Sequence, residues 1–331
     1  MKHKIIILTL VFGVFTGFSV TAEAVNIGPA EKYNPEINPA DFSMTITNPY
    51  FSIPIGKNMV YEKTTEDGKE RIEIVVPGWK RTVMGVETLV FWDRVYLNGV
   101  LKEDTRDYLA QHKNGDIWYF GEHVDNYENG KLKDHHGAWV AGEKGAKPGI
   151  WMVASPKVGD EFRNEYYKGE AEDITKILSV SETVKVPNGI FTDCVKTFDW
   201  TPLDSTSIAN KYYCKQVGGT ALEVDLPGPK RKVAENSALV SIDMKGALDI
   251  ALPPEYAREG VITSSQSDSK TSDTNKENKD GLFGKDDSKY ADSGEREDSN
   301  WPVGLISGLV GLVGGVLLQK FILGKSGSRI S

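Results

Sequence analysis

Hydrophobic positions between residues 25 and 262 occur in short runs rich in Val, Ile, Tyr, Trp, Phe and Thr, without the 3.6-residue period of a long helix. Asn-Gly or Asp-Gly pairs separate the runs, and such pairs favour the type I′ turns that close β-hairpins, because both central residues adopt positive φ. The pairs stand at residues 67–68, 98–99, 114–115, 129–130 and 188–189. The pattern predicts an all-β fold: an antiparallel meander curled into a barrel or half-barrel, with at most one short helix.

Three of these turns follow one another at regular spacing and predict a four-stranded meander. Its strands are expected at residues 89–97, 100–113, 116–128 and 131–141. The segment GEAEDITKIL, residues 169–178, carries acids where a helix would begin and is compatible with one short helix. The Ile and Val residues that follow it suit a strand equally well.

The two cysteines are expected to face each other across a further hairpin. If residues 191–200 pair with residues 208–215 around a turn centred on Asp204, Cys194 lies directly opposite Cys214. Such a pair suits a structural disulfide that closes a loop of about 20 residues. The alternative is two free buried thiols, and the spacing is not that of a C-x-x-C redox centre.

Both ends of the chain carry targeting signals. Residues 1–24 begin with lysines, continue with the apolar run Ile5–Val20 and end in Ala-Glu-Ala, which predicts a cleaved secretory signal peptide. An uncleaved membrane anchor is the alternative. Residues 301–323 are mostly apolar and predict one C-terminal transmembrane helix, followed by a short tail at residues 324–331.

The cations around and beyond this predicted span indicate its orientation. Lys320, Lys325 and Arg329 place the tail in the cytoplasm by the positive-inside rule, so the body of the chain is expected to face the periplasm or the extracellular side. The span also carries small residues on one helical face, which would permit a homodimer or simply belong to a glycine-rich span without a partner. These residues are Gly304, Gly308, Gly311 and Gly315.

Composition divides the remainder into a tether and a folded body. Residues 263–300 are rich in Ser, Asp, Lys, Asn and Glu and poor in large apolar side chains, which predicts a disordered tether. Residues 25–262 are then the extracytoplasmic β domain. The net charge of −8 and the lack of a basic patch argue against nucleic-acid binding.

The hairpin around Asn129-Gly130 contains a candidate metal site. A two-residue turn there sets His123 opposite His136 and Asp125 opposite Asp134, all on one side of the sheet. Carboxylate ligands would favour Ca²⁺, whereas two histidines with an aspartate would favour Zn²⁺.

The same register, continued through the preceding turns, predicts a row of four aspartates across neighbouring strands. The row runs through Asp93, Asp104, Asp125 and Asp134. Facing like charges destabilise a sheet, so either a cation lies there or the register is broken. Strands of this length favour a β-bulge, which would shift the parity of the row.

Several motifs together resemble a family of uncharacterised secreted bacterial domains. They include YFGE (residues 119–122), PGI (148–150), EYYKGEAED (165–173) and TPL (201–203), and the resemblance covers about residues 45–225. It implies a globular external domain and no particular substrate or activity. The cysteine pair and the hairpin histidines are not part of the family pattern.

The candidate chemistry favours binding over catalysis, although the sequence leaves open whether the protein is an enzyme. The chain lacks G-x-S-x-G, H-E-x-x-H and a glycine-rich phosphate loop. A second acidic cluster could supply acid–base carboxylates or form a solvated surface; it comprises Glu161, Glu165, Glu170, Glu172 and Asp173. The tryptophans could line an apolar cavity or build an ordinary core; they are Trp79, Trp92, Trp118, Trp139, Trp151 and Trp200.

The sequence therefore predicts a membrane-anchored β domain outside the cytoplasm. Its expected role is to bind an apolar small molecule or another envelope component, or to act as a scaffold at the cell surface. The alternative is a metal-dependent enzyme or metal-stabilised domain that uses the face formed by His123, Asp125, Asp134 and His136. The residues do not identify a cofactor, which stays unknown.

Overall fold

The computed structural model describes residues 29–229, 231–245 and 250–263 of the 331-residue chain. The predicted signal peptide, transmembrane helix, glycine face and tail lie outside the described residues, as does nearly all of the predicted tether. Two short 3-10 helices, Ala30–Lys32 and Pro39–Asp41, precede the strands. Among the described residues, the single α-helix is α1 at Pro254–Arg258.

The described part of the chain contains twenty strands. The first ten are β1 (Phe42–Ser43), β2 (Thr47–Asn48), β3 (Phe51–Ser52), β4 (Asn58–Thr65), β5 (Gly68–Val75), β6 (Lys80–Val83), β7 (Val86–Leu97), β8 (Val100–His112), β9 (Ile117–Glu128) and β10 (Lys131–Asp134). The second ten are β11 (Trp139–Val140), β12 (Lys147–Met152), β13 (Glu161–Arg163), β14 (Glu165–Tyr166), β15 (Ile174–Val186), β16 (Gly189–Thr201), β17 (Asp204–Cys214), β18 (Gly219–Asp225), β19 (Glu235–Asp243) and β20 (Val261–Ile262).

The strand pairings follow a nearly closed ring. Successive antiparallel neighbours are β4, β5, β7, β8, β9, β12, β14 with β13, β15, β16, β17, β18 and β19, and β19 pairs with β4 again. The narrowest link is β12 to β14, which has two residue pairs. The ring thus has twelve positions, counting β13 and β14 as one.

The predicted all-β class and barrel-like curvature are confirmed. The Asn98-Gly99 turn joins β7 to β8, and the Asn129-Gly130 turn joins β9 to β10; the asparagines have φ of 51° and 52°. The meander strands begin and end near the expected residues, except that the fourth is split into β10 and β11. The helical alternative at residues 169–178 is wrong, because β15 starts at Ile174 and pairs with β16.

The hairpin of β16 and β17 brings the cysteines together as predicted. Val195 pairs with Tyr213 in this hairpin, which puts Cys194 and Cys214 opposite each other. They form a disulfide with a Cα–Cα distance of 4.3 Å, and both residues are completely buried.

Replacing both Cys194 and Cys214 by Ala is expected to lower the free energy of unfolding by about 3 kcal/mol, because the closed loop of 20 residues restricts the unfolded chain. Chemical denaturation of the oxidised wild type and the double variant measures the loss. The wild type treated with reductant should match the double variant. Equal stability of oxidised and reduced wild type would contradict this prediction.

Candidate functional site

Strand alternation divides the ring into an inner and an outer face, and the inner face is rich in acids. In β17, for example, the buried positions are Ser207, Ala209, Lys211 and Tyr213, whereas the residues between them are partly exposed. Nine carboxyl side chains of this interior are each less than 5% exposed, and we call them the acidic lining. They are Glu70, Asp93, Glu103, Asp107, Glu122, Glu165, Asp199, Glu223 and Asp225. Strand pairing places eight of them on the inner face, and Glu165 is placed there by its electrostatic interactions with Asp107, Glu122 and Lys211.

Asp93 is the most isolated member of the acidic lining. It pairs with Ile74 on one side and Thr105 on the other, and neither of its carboxyl oxygens has a hydrogen-bond partner among the described residues. Burial, reinforced by the nearby carboxyls of Asp104 and Glu70, raises the pKa of Asp93 to about 8. A buried acceptor without a donor is costly, so this position calls for a proton or a donor group.

A second group of carboxyls joins two walls of the ring. Asp107 pairs directly with Glu122 across β8 and β9, and Tyr119 donates a 2.6 Å hydrogen bond to Oδ1 of Asp107. Oδ2 of Asp107, Oε2 of Glu122 and Oε2 of Glu165 have no hydrogen-bond partner among the described residues. Burial, together with repulsion from neighbouring carboxyls, holds the pKa of each of these three acids well above its usual range.

The opposite wall contains a lysine that compensates part of this charge. Lys211 pairs with Glu223 in the sheet, and its Nζ lies 3.6 Å from Oδ2 of Asp199. Although burial opposes its charge, the carboxyls of Glu223 and Asp199 raise the pKa of Lys211. Glu223 still keeps one oxygen, Oε2, without a partner, and burial raises its pKa to about 8.

A second inward lysine lies near the end of the ring marked by the 66–67 turn. Nζ of Lys63 lies 2.6 Å from Oδ2 of Asp225, 3.7 Å from Glu70 and 3.8 Å from Glu235. These acids are therefore paired. Against the nine carboxyls of the acidic lining, the inner faces of β4 and β17 supply two lysines, so the interior has a marked excess of acidic groups.

Aromatic and aliphatic side chains separate the acids on the inner face. Tyr119 packs edge-on against Trp139 and Trp151, with ring centroids 5.1 and 5.0 Å apart. Phe51 contacts both Phe91 and Trp151. Among the six tryptophans considered from the sequence, Trp139 and Trp151 face inward with these rings. Trp79 and Trp92 instead pack against each other on the outer face, with ring centroids 5.1 Å apart.

The four predicted metal ligands are not brought together, and of them His123 and Asp125 lie on the outer face of β9. A bulge between Leu132 and Asp134 sets Asp134 opposite Asn126, so the predicted Asp125–Asp134 and His123–His136 pairs do not form. Oδ1 of Asp134 accepts hydrogen bonds from the Asn126 side chain at 2.8 Å and from the His136 backbone at 3.1 Å. Across the described ranges, no three His, Cys, Asp or Glu side chains are grouped closely enough to hold a metal ion.

His123 is occupied by other contacts. Its Nδ1 lies 2.9 Å from the Arg81 guanidinium and 2.8 Å from the Tyr108 hydroxyl, and it pairs in the sheet with Arg106. Burial, followed by the positive charges of Arg81 and Arg106, lowers the pKa of His123 to about 3. The imidazole is therefore neutral at physiological pH.

The predicted aspartate row is broken by β-bulges, which the sequence analysis gave as the alternative to a bound cation. Asp104 does face Asp125, but a bulge between Val95 and Tyr96 sets Arg94 rather than Asp93 opposite Asp104. The bulge turns Asp93 to the inner face. The guanidinium of Arg106 lies between the two remaining aspartates, 3.2 Å from Asp104 and 2.9 Å from Asp125.

Arg106 also fastens the C-terminal part of the fold, which we call the C-terminal clasp (residues 254–262). The buried guanidinium pairs with Glu259 and lies 4.2 Å from the centre of the Tyr256 ring. Tyr256 contacts the rings of Trp79 and Trp92, and β20 pairs with β6. The clasp covers the outer face of the strands whose inner face carries Asp93, Asp107 and Glu122.

The second acidic cluster seen in the sequence is divided between surface and interior. Glu161 pairs with Lys176 at 3.5 Å near the surface, and Glu170 is exposed, as the solvated reading predicts. Glu165 instead joins the acidic lining. Sequence reasoning missed this lining because it assigns alternating acids to the solvent side of a strand. The signal was the alternation of Glu223 and Asp225 with an apolar residue in β18.

Comparisons with known proteins show no family for this chain. No family model matches the chain, and no curated protein matches it. A solved structure described as a candidate lipoprotein from Parabacteroides distasonis ATCC 8503 is similar over 59% of this chain and 98% of its own, with 11% identity and a TM-score of 0.31. Fold and site together define an all-β protein with a nearly closed, acid-lined barrel.

Membrane association is a separate question from the barrel fold. Among the residues that the structure describes, no helix has the length and hydropathy needed to cross a membrane. The expected single-pass span at residues 301–323 stays a prediction.

Proposed function

We propose that the protein is an extracytoplasmic binding protein that takes a small polar molecule into the acid-lined interior of its barrel. The observation that carries this proposal is the set of buried carboxyl oxygens without donors, which come from β7, β8, β9, β14 and β18. Because buried acceptors are almost always hydrogen-bonded in folded proteins, their concentration on one face favours a bound donor molecule. The sequence favoured an apolar ligand, but carboxyls are poor partners for hydrocarbon.

The location outside the cytoplasm is supported by the Cys194–Cys214 disulfide, a bond that persists in oxidising compartments. The predicted signal peptide, tether and C-terminal span add to it. We infer that the barrel is held near the membrane by its C-terminal part, with the clasp as the point where the chain leaves the barrel.

Thermal denaturation of the full-length chain against two ligand panels tests the binding proposal. We expect members of a polar panel of sugars, polyols, amino acids and amines to raise the melting temperature, since a ligand that binds only the folded state stabilises it. Fatty acids and phospholipids should not. Replacing Glu165 by Gln should reduce the shift, while the exposed control Glu170→Gln should keep it.

Two results would contradict the proposed function. One is a shift produced by lipids and by no polar compound. The other is a polar-ligand shift that is the same in wild type, Glu165→Gln and Glu170→Gln, because binding would then not involve the interior.

A further inference from the structure

We propose that the ligand of the acidic lining is an extended organic polycation, with several protonated amino groups joined by short hydrocarbon links. This inference rests on the proposed function and specifies the chemical class that the same interior would take. It follows from the charge of the lining, from the positions of its free acceptors and from the apolar groups between them.

The free acceptors require donors that also carry positive charge. Six buried oxygens lack partners among the described residues: both of Asp93 and one each of Asp107, Glu122, Glu165 and Glu223. An ionised carboxylate can only accept hydrogen bonds. A neutral polyol would supply donors but could not compensate these carboxyls when they ionise, whereas each ammonium group supplies up to three donors and a positive charge that favours the ionised carboxylates.

The positions of these oxygens favour an extended molecule over a single ion. Asp93, Asp107 and Glu122 come from the consecutive strands β7, β8 and β9, and neighbouring strands are about 4.8 Å apart. Glu165 approaches the Asp107–Glu122 pair from β14, on the other side of β12. A molecule with amino groups at intervals of about one strand spacing could reach several of them in succession.

The directly opposed pair Asp107 and Glu122 is the strongest candidate for one ammonium group. Facing carboxylates repel each other in a sheet, and a cation between them removes that repulsion. The two lysines of the inner face are already used elsewhere: Lys211 lies against Asp199 and Glu223, and Lys63 against Asp225.

Aromatic side chains next to these carboxyls fit the hydrocarbon links and the charge of such a ligand. Phe91 is two residues from Asp93 on the same face of β7, and Tyr119 donates to Asp107. Aromatic faces attract ammonium groups and also pack well against methylenes. The alternation of carboxyl and ring is therefore matched by a chain that alternates amines with methylene segments.

Calorimetric titration of the full-length chain with spermidine, a linear triamine, tests this inference against two matched probes. Butylamine carries a single amino group, and sorbitol carries hydroxyls without charge. We expect spermidine to bind at least about tenfold more tightly than either, because it engages several carboxyls at once. Asp93→Asn and Glu122→Gln should each weaken spermidine binding by about 10- to 100-fold, the effect of losing one charged hydrogen bond.

The exposed control Glu170→Gln should bind spermidine as the wild type does. Suppose that spermidine does not bind, but that sorbitol or another polar compound binds and Glu165→Gln weakens that binding. The inference of a polycationic ligand is then wrong, and the proposed function, binding of a polar molecule inside the barrel, is retained. Spermidine binding that is equal in wild type, Asp93→Asn and Glu122→Gln would show attraction to the acidic surface and overturn the inference. If no polar probe binds, both proposals fail.

Discussion

Replacing Arg106 by Met is expected to lower the free energy of unfolding by about 3–5 kcal/mol, the usual cost of removing one partner from a buried ionic network. The guanidinium is completely buried and contacts Asp104, Asp125 and Glu259. Those carboxyls raise the pKa of Arg106 despite its burial. Without the guanidinium, three carboxyls would remain close together on the covered outer face. Chemical denaturation of the full-length chain measures the change.

Arg71 provides the matched control for this prediction. Its side chain is 43% exposed and pairs with Glu62 and Glu73 on the surface. Arg71→Met should cost at most about 1 kcal/mol, as for other surface ion pairs. Equal losses for the two variants would contradict the role of the buried network. Limited proteolysis should also cleave Arg106→Met faster near residues 254–262, since the variant loses the contact with Glu259 that fastens the clasp.

The ligand-free protein is expected to become less stable as the pH rises from 6.5 to 8. Burial raises the pKa of Asp93 and of Glu223 to about 8, while the unfolded chain releases these protons near pH 4. In this window the folded state binds more protons than the unfolded state, so the free energy of unfolding decreases with pH. Each group contributes about 1.4 kcal/mol per pH unit while it stays protonated in the folded state.

Other titratable and charged groups determine why the pH interval from 6.5 to 8 is the informative one. The pKa of Asp93 also responds to three nearby charges. The carboxyls of Asp104 and Glu70 raise it further, and the guanidinium of Arg94 lowers it. His123, with a folded pKa of about 3, gives the opposite slope below pH 6.5 and none above it, because it is then neutral in both states. Lys57, with a pKa lowered to about 8 by burial, gives an opposite slope only above that pH.

Asp93→Asn tests the contribution of this one carboxyl. The variant should be more stable than the wild type at pH 8 and should lose stability less steeply between pH 6.5 and 8. Denaturation curves at four pH values in this interval, with Glu170→Gln as the exposed control, provide the measurement. If the stability of the wild type is flat or increases across the interval, the interior carboxyls are already ionised and compensated.

Local signals in the sequence were sufficient for two hairpin turns and for the disulfide. Asn98-Gly99 and Asn129-Gly130 specify their hairpins because the residues themselves favour positive φ. The position of Cys194 relative to Cys214 follows from one short hairpin, in which register is counted from the turn. Such features depend on few residues and on no distant part of the chain.

The acidic lining could not be predicted from local sequence signals, because its position depends on closure of the ring of strands. The bulges near Val95 and Leu132 change which residues face each other, and only the packed sheet determines where they occur. The acids of β18 alternate with Leu222 and Val224, a pattern that normally places acids in solvent. Their inward direction follows from what the neighbouring strands bury, such as Lys211 beside Glu223.

Strand β8 has charged groups on both faces, and this has a consequence for folding fidelity. Asp104 and Arg106 point outward, while Glu103 and Asp107 point inward. A slip of one residue in pairing would exchange the two sets, since side chains alternate along a strand. In most sheets such an error exposes apolar groups; here it would move Arg106 away from Glu259 and place acids beneath the clasp. Electrostatic mismatch, more than lost hydrophobic burial, would then reject misaligned pairings of this strand.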